Sequence, residues 1–558
     1  MDDMARDGVA GAGDLGEAWF DLELERIAAT DPVLAHEIMR RQDDLEKKII
    51  AASAEAQTMS EPEEFVAPDR AESGPEVIII GAGVGGLSMG AGLKRAGFKN
   101  FKILEKAKGI GGTWYHNRYP GVACDVNSYL YQFSFRKNYD WSGSFPSGPE
   151  IRTYLEDFAD HFGLLDHIQF ETHVDSCVYR SGRWHVNLSD GSVIEGDVLI
   201  SACGFLHVPN VPSIKGLEDF GGVCMHSAEW DSTYDFKGKR VGLIGNGSSS
   251  VQIAPNLIDD VSSLTLFQRT AQWIFPAPKN QYSEQRVEML RQRPDLVDRL
   301  YDFYMAWYAD GFGRAVAGDD EAKQFFIEAC EQNLASIEDE GLREKLTPPD
   351  PVMCKRLIFG DGFYQALQRD HADVVVEAIE QVEEGGIRTA DGKLHELDAL
   401  IMATGFHTHV YCRNLNVSVE GGPSLNDVWS SGAETMDTIM VAGFPNFFIL
   451  GGPYTTIGNL STMTCSEVQT DYIMQIIEEA VSRSAPAVEA VPEAQQDFVD
   501  EMQAHAQNTV WVRGCSNWYL DEHGKVDIWP RTPRHFLDFM KAGPNLDHYE
   551  FKEHAAAG

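Results

Sequence analysis

What this chain lacks narrows its function before any motif is read. Basic residues are scarce: 46 Lys and Arg stand against 86 Asp and Glu, a formal charge of −40. Such a field repels phosphate backbones and anionic lipid surfaces, so neither nucleic acid nor a membrane is an expected partner. No stretch stays apolar for the about 18 residues that a membrane-spanning helix needs. The opening MDDMARDGVAGAGDLGE has neither the basic nor the apolar region of an export signal, so a cytoplasmic protein is expected. Cysteine is sparse and scattered: nine residues, an odd number, with no Cys-x-x-Cys pair. That suits a reducing compartment and argues against both a zinc site and a dithiol redox pair, and no metal site is expected.

Apolar material, by contrast, is ample. With 558 residues, 43% of them hydrophobic, the chain can build a large core divided among about three or four domains. Residues 1–73 read as an acidic extension and linker. Trp19, Phe20, Leu22, Leu24, Ile27, Leu34, Ile38 and Leu45 recur at roughly helical spacing, and Thr30-Asp31-Pro32 divides them into two short helices. The first 76 residues hold seven basic and twenty acidic side chains, about a third of the acidic excess. An apolar stripe on such helices is normally covered, so the extension is expected to dock on the body or on a second copy, giving a homodimer.

The body contains a diverged internal repeat. Val77-Ile78-Ile79-Ile80 leads into Gly81-Ala82-Gly83-Val84-Gly85-Gly86 and a helix, and Val241-Gly242-Leu243-Ile244 leads into Gly245-Asn246-Gly247-Ser248-Ser249-Ser250 and another. Each half closes alike, at Asp197-Val198-Leu199-Ile200-Ser201-Ala202-Cys203-Gly204 and at Asp398-Ala399-Leu400-Ile401-Met402-Ala403-Thr404-Gly405. The expected fold is α/β, with two interleaved Rossmann-like dinucleotide-binding domains, a helical insertion and an N-terminal helical extension. Its parts are a first nucleotide domain at 74–206, a second at 207–400 with the insertion near 283–347, and a return to the first domain at 401–558.

In the glycine motif the first two glycines permit a tight turn and close approach of a pyrophosphate to a helix N-terminus, and the third lets helix and strand pack. Glu105 ends the next strand, 24 residues after Gly81, where a carboxylate accepts hydrogen bonds from ribose hydroxyls. Arg269 stands 24 residues after Gly245 and reverses that charge, suiting the 2′-phosphate of NADPH rather than NADH. Ser250 replaces the third glycine. Lys355 is, on residue type alone, either a second phosphate ligand or a solvated lysine.

Two longer patterns carry a resemblance. Phe220-x-Gly222-x-x-x-His226-x-x-x-Trp230-Asp231 and Gly112-x-Trp114-x-x-x-x-Tyr119-Pro120-Gly121-x-x-x-Asp125 match, at every position, fingerprints of the class B flavin-dependent monooxygenases of Baeyer–Villiger type. The chain resembles that family over about residues 74–540; the resemblance does not cover the acidic extension, although a subset of the family that includes acetophenone-oxidising enzymes also carries one. The resemblance implies FAD on the first copy, held at Gly81, Gly83, Gly86 and Glu105, at Gly112, Thr113, Trp114 and Asp125, and by Gly451 to Ser461. It implies NADPH on the second copy, with Gly245, Gly247, Ser248, Ser249, Ser250, Gln252, Arg269, Thr270 and Lys355 as cofactor-binding residues, and it implies Lys355-Arg356 at the active site. Trp518 resembles a nucleotide-contacting residue of a mobile C-terminal loop, with an ordinary core tryptophan as the competing reading.

The implied reaction begins with reduction of FAD by NADPH and uptake of O₂ at flavin C4a. The peroxyflavin then adds to a ketone, and the oxyanionic adduct rearranges to an ester or lactone. Arg356, oriented by Asp125, is the expected catalytic cation, since a guanidinium keeps its proton near neutral pH; the alternative is a structural ion pair between domains. His226 is either a linker-positioning or a plain structural histidine. Two other functions stay open on the sequence: an N- or S-oxidising relative within the same class, and a flavin-binding regulatory protein without catalysis.

Overall fold

A computed structural model describes residues 12–28, 41–51, 65–68, 74–455, 460–512, 514 and 517–552. Two five-stranded parallel sheets organise it. The first runs Phe447–Ile449, Val198–Ser201, Val77–Ile80, Phe101–Leu104, Ile168–Gln169. The second runs Ala372–Val375, Ser263–Phe267, Arg240–Ile244, Ala399–Met402, Val223–His226. In both, the strand entering the glycine motif is central. Its neighbours are the strand leading to Glu105 or Arg269 and the strand leading to Gly204 or Gly405. Chain connections leave that central strand in opposite directions, which opens a crevice at its carboxyl end, beside Gly81 in one sheet and Gly245 in the other.

Val77–Ile80 and Val198–Ser201 are buried at every residue, as parallel strands covered on both faces must be. The fifth strand of the first sheet, Phe447–Ile449, arrives only after the whole second sheet has formed. An antiparallel meander also recurs, as Val174–Arg180, Arg183–Leu188 and Val193–Gly196 in the first copy and Ile379–Glu383, Gly386–Thr389 and Leu394–Glu396 in the second.

The insertion consists of helices Glu284–Gln292, Pro294–Ala306, Asp320–Ala335 and Glu340–Leu346. Pro294 starts the second of these, where its missing N–H costs no hydrogen bond. Periodicity did not anticipate the π-helical turn Trp307–Phe312 that follows it.

Helix Ala12–Ala28 and the helical residues 41–51 of the extension pack on this insertion. Trp19 is fully buried, with its indole N–H donating to Glu46 (3.1 Å). The fully buried Glu23 accepts from both terminal nitrogens of Arg286 (2.8 and 3.1 Å), from Arg26 and from Gln42. Trp19, Phe20 and Leu22 of the apolar stripe are thus covered by the chain's own body. Thr30-Asp31-Pro32, Leu34 and Ile38 lie outside the described residues. Among the described residues no helix is long and apolar enough to cross a membrane.

Candidate active site between two nucleotide clefts

One cleft with a cavity volume of about 390 Å³, partly open to solvent, runs past Gly81, Glu105, Gly112, Asp125, Ser248 and Arg356. It falls within the roughly 300–1,000 Å³ of small-ligand pockets, and its lining extends from the first glycine motif to the first turn of the second nucleotide helix. Gly81 has φ +107°, and a Cβ there would lie 2.7 Å from the Ala202 carbonyl oxygen. A Cβ at Gly86 would lie 1.8 Å from the Gly81 carbonyl oxygen, so only glycine allows this helix to sit on its strand. Gly83, the N-cap of helix Val84–Arg95, has no side-chain cap, which leaves first-turn N–H groups for an anion. Gly83, Gly112, Thr113 and Trp114 line the cleft with it.

Glu105 is buried, and its two carboxylate oxygens accept from the Ala82 and Ala107 N–H groups (2.8 and 2.7 Å). Those bonds aim the carboxylate while each oxygen keeps a lone pair for a ribose hydroxyl. These residues fit FAD.

The second half repeats this geometry. Gly245 has φ +98°, with a would-be Cβ 2.5 Å from the Ala403 carbonyl oxygen, and Gly247 caps helix Ser248–Leu257 without a side-chain bond. Ser250 is tolerated because its helix stands back enough to admit a side chain, and its Oγ donates to the Gly245 carbonyl at 2.5 Å. Asn246 donates to the carbonyl of Thr270 and to Gln268 (2.8 Å each), which pins the glycine loop to the segment carrying Arg269.

Arg269 is exposed and has no ion-pair partner among the described residues, as a phosphate ligand should be. Lys355 is already paired, 2.7 Å from Asp350. Gln252 lines the cleft, but its side-chain amide is committed to the chain: it accepts from the Tyr119 hydroxyl (3.0 Å) and donates to the Ala123 carbonyl (3.0 Å). It clamps the second helix onto the segment leading to Asp125.

At the junction of the halves, an Arg356 guanidinium nitrogen donates to Asp125 at 2.6 Å, with the side chains 28% and 16% exposed. Burial works against the guanidinium charge, but the facing Asp125 carboxylate more than offsets it, and the Arg356 pKa rises. Two residues not singled out in the sequence complete the surroundings. The Tyr308 hydroxyl, from the π-helical turn, donates to the Asp125 backbone carbonyl (2.9 Å). Tyr519 is buried close to the pair, and burial holds its phenol protonated. The aromatic insertion and the Trp518 loop were the only sequence signals that could have found them.

Cys124 is a free, buried thiol whose pKa burial pushes well up, the opposite of a redox-active thiolate. Cys354 is disulfide-bonded, although the odd number and scattered spacing of the cysteines suit a reducing compartment. Spacing along a chain does not say which residues a fold brings together. Cys515 lies outside the described residues, as do residues 456–459 of the glycine- and threonine-containing C-terminal stretch.

Trp518 is partly buried and stacks on Tyr519 (4.5 Å) and on Phe205 (6.2 Å), a cleft-lining residue, so it backs the cleft wall. The long fingerprint around His226 lies off the cleft. Phe220 packs against the buried cluster that includes Ile244, Phe267 and Leu400, and a Cβ at Gly222 would sit 2.3 Å from the Asp398 carbonyl oxygen. Trp230 stacks on Phe236, and Asp231 closes a turn onto Thr233. His226 is buried, its Nδ1 accepts from the Ala228 N–H (3.1 Å), and burial lowers its pKa, so it stands neutral against Phe406.

Comparison with known proteins agrees with this geometry. A profile of the pyridine nucleotide-disulphide oxidoreductase family matches residues 78–294. A Baeyer–Villiger monooxygenase of Streptomyces coelicolor is 36% identical over 466 residues, 82% of this chain and 89% of that one. Among solved structures, cyclohexanone monooxygenase from Rhodococcus sp. Phi1 bound to NADP⁺ superposes with a TM-score of 0.76 at 27% identity, covering 87% of this chain and 100% of that one. The OTEMO complex with FAD and NADP gives a TM-score of 0.77 at 26% identity, over 86% of this chain and 100% of that one.

Proposed function

The chain belongs to the Baeyer–Villiger monooxygenases, and from that membership we propose which of its residues carry out the oxidation of a ketone to an ester or lactone with FAD, NADPH and O₂. The Arg356–Asp125 pair carries this reading: among the described residues it is the partly buried ion pair on the wall shared by the two nucleotide halves. Bound FAD supplies the hydride acceptance from NADPH and the activation of O₂. Arg356 presents a permanent positive charge where negative charge develops on oxygen, and a preorganised charge in a partly desolvated site is worth most there. Since its pKa is raised, Arg356 neither gives up nor takes up a proton; its role is electrostatic. Asp125 holds the guanidinium fork in place, and Tyr308 fixes the backbone of Asp125.

Gly81, Gly83, Gly86, Glu105, Gly112, Thr113 and Trp114 hold FAD, and Gly245, Gly247, Ser248, Ser249, Arg269 and Lys355 hold NADPH. Trp518 shields the site by backing Phe205, which keeps water away from the reacting centre.

Arg356→Ala is expected to retain FAD and its reduction by NADPH but to lose ester formation by at least about 100-fold, the scale for removing one preorganised charge partner. Anaerobic bleaching of the flavin absorbance measures the first property, and gas chromatography of a ketone panel measures the second. Wild-type ester yield in the variant would remove Arg356 from this role, and joint loss of both properties would make it a structural residue.

A further inference from the structure

The two cations assigned to the 2′-phosphate are not equivalent. Arg269 is exposed and unpaired among the described residues, whereas the Lys355 ammonium lies 2.7 Å from Asp350, with side chains only 20% and 27% exposed. The backbone imposes this pairing. Cys354 N–H bonds back to the Pro351 carbonyl (3.2 Å), and Met353 takes φ +68°, so a tight turn folds Lys355 onto Asp350.

The same turn is tied to the nucleotide site. The Trp273 indole N–H donates to the Asp350 carbonyl (2.7 Å), and Ile274–Pro276 pairs in parallel with Ile358–Gly360. Arg269 lies five residues before the first of those strands and Lys355 three residues before the second. Thr270, next to Arg269, is bound to Asn246 of the glycine loop.

We propose that Asp350 governs how much of the Lys355 charge reaches the 2′-phosphate of NADPH, and so sets the nucleotide specificity of the second site. The proposal rests on the assignment of Lys355 as a phosphate ligand. An ammonium paired with a carboxylate is a neutral unit at a distance, and it attracts a dianion far less than a lone cation does. Asp350 itself repels the phosphate. It leaves Arg269 as the main cation and holds discrimination between NADPH and NADH below what two free cations would give.

The experiment uses the FAD-bound enzyme and its Asp350→Asn, Lys355→Met and doubly substituted forms. Calorimetric titration with adenosine 2′,5′-bisphosphate reads the phosphate site directly, and 5′-AMP serves as the control lacking the 2′-phosphate. Asp350→Asn is expected to bind the bisphosphate about three- to tenfold tighter, the scale of a partly exposed ion pair, with 5′-AMP unchanged. The KM for NADPH should fall by a similar factor at constant kcat, and the KM for NADH should stay. In the Lys355→Met background the Asp350 substitution should add nothing. Unchanged or weaker bisphosphate binding in Asp350→Asn, or equal tightening of 5′-AMP, overturns the role of Asp350. If Lys355→Met leaves bisphosphate affinity untouched, the assignment of Lys355 itself fails and the proposal with it.

Discussion

Glu105 and Arg269 hold the same position in two copies of one plan and differ in charge, and we propose that this single difference sorts the nucleotides. Glu105 is buried and clamped by two backbone N–H groups, an arrangement suited to neutral ribose hydroxyls. Arg269 is exposed and has no ion-pair partner among the described residues, an arrangement suited to a phosphate. Arg269→Glu is therefore expected to raise the KM for NADPH by at least about tenfold, since a charge-assisted contact becomes a repulsion. FAD content, read from the protein-bound flavin absorbance, should not change. Loss of flavin together with NADPH binding would mean that Arg269 supports the fold rather than the phosphate. Ser250 makes the complementary point. It breaks the glycine pattern in sequence, yet its hydroxyl converts a position forbidden to any Cβ in the first copy into a hydrogen bond in the second.

At the scale of elements, the central strands, their glycine turns, the closing strands and the location of the insertion were all legible. Buried parallel strands are short apolar runs, and glycine marks where the backbone must turn or touch. The Arg356–Asp125 contact, between residues 231 apart in sequence, was legible only through the family fingerprint. Tyr308 was not, because no periodicity marks a π-helical turn, and the turn is what swings its hydroxyl onto the Asp125 carbonyl. Nor did the helical stripe of the extension reveal that Glu23, a charged residue on it, would be its most deeply anchored side chain. Burial alone would raise the Glu23 carboxyl, but Arg286 and Arg26 overcome it and hold its pKa far below the usual range.

Removing Glu23 strands a buried guanidinium, so Glu23→Ala is expected to destabilise the docking of the extension by about 3–5 kcal/mol. Hydrogen exchange across residues 12–28 and 284–306 would register the loss; unchanged protection there would show the pair to be dispensable. The sign with pH follows from the depressed pKa. The contribution of Glu23 is complete above about pH 4.3, the value of an unfolded glutamate, and is lost as acid drives the pH below it toward the folded value. Wild type should therefore lose protection in acid more steeply than the alanine variant.

The whole molecule carries −40, yet it belongs to a family that works with two anionic dinucleotides. The two facts are compatible because they act over different distances. At 0.01 M salt the Debye length is about 30 Å, so an approaching NADPH meets the summed acidic surface; at 0.15 M it is about 8 Å, and only groups lining the site are felt. The long-range term repels and slows encounter, whereas the local term, from Arg269 and the open N-terminus of helix Ser248–Leu257, attracts and slows escape. Salt weakens the first before the second. The second-order rate constant for flavin reduction by NADPH should accordingly rise from 10 to about 150 mM salt. Above that range the affinity should fall as the local contacts are screened in turn. Stopped-flow traces at a series of NADPH concentrations and ionic strengths separate the two regimes. A rate constant that falls with salt from the outset would mean that the cations at the cleft mouth outweigh the rest of the surface, and that the acidic excess has no bearing on how the nucleotide arrives.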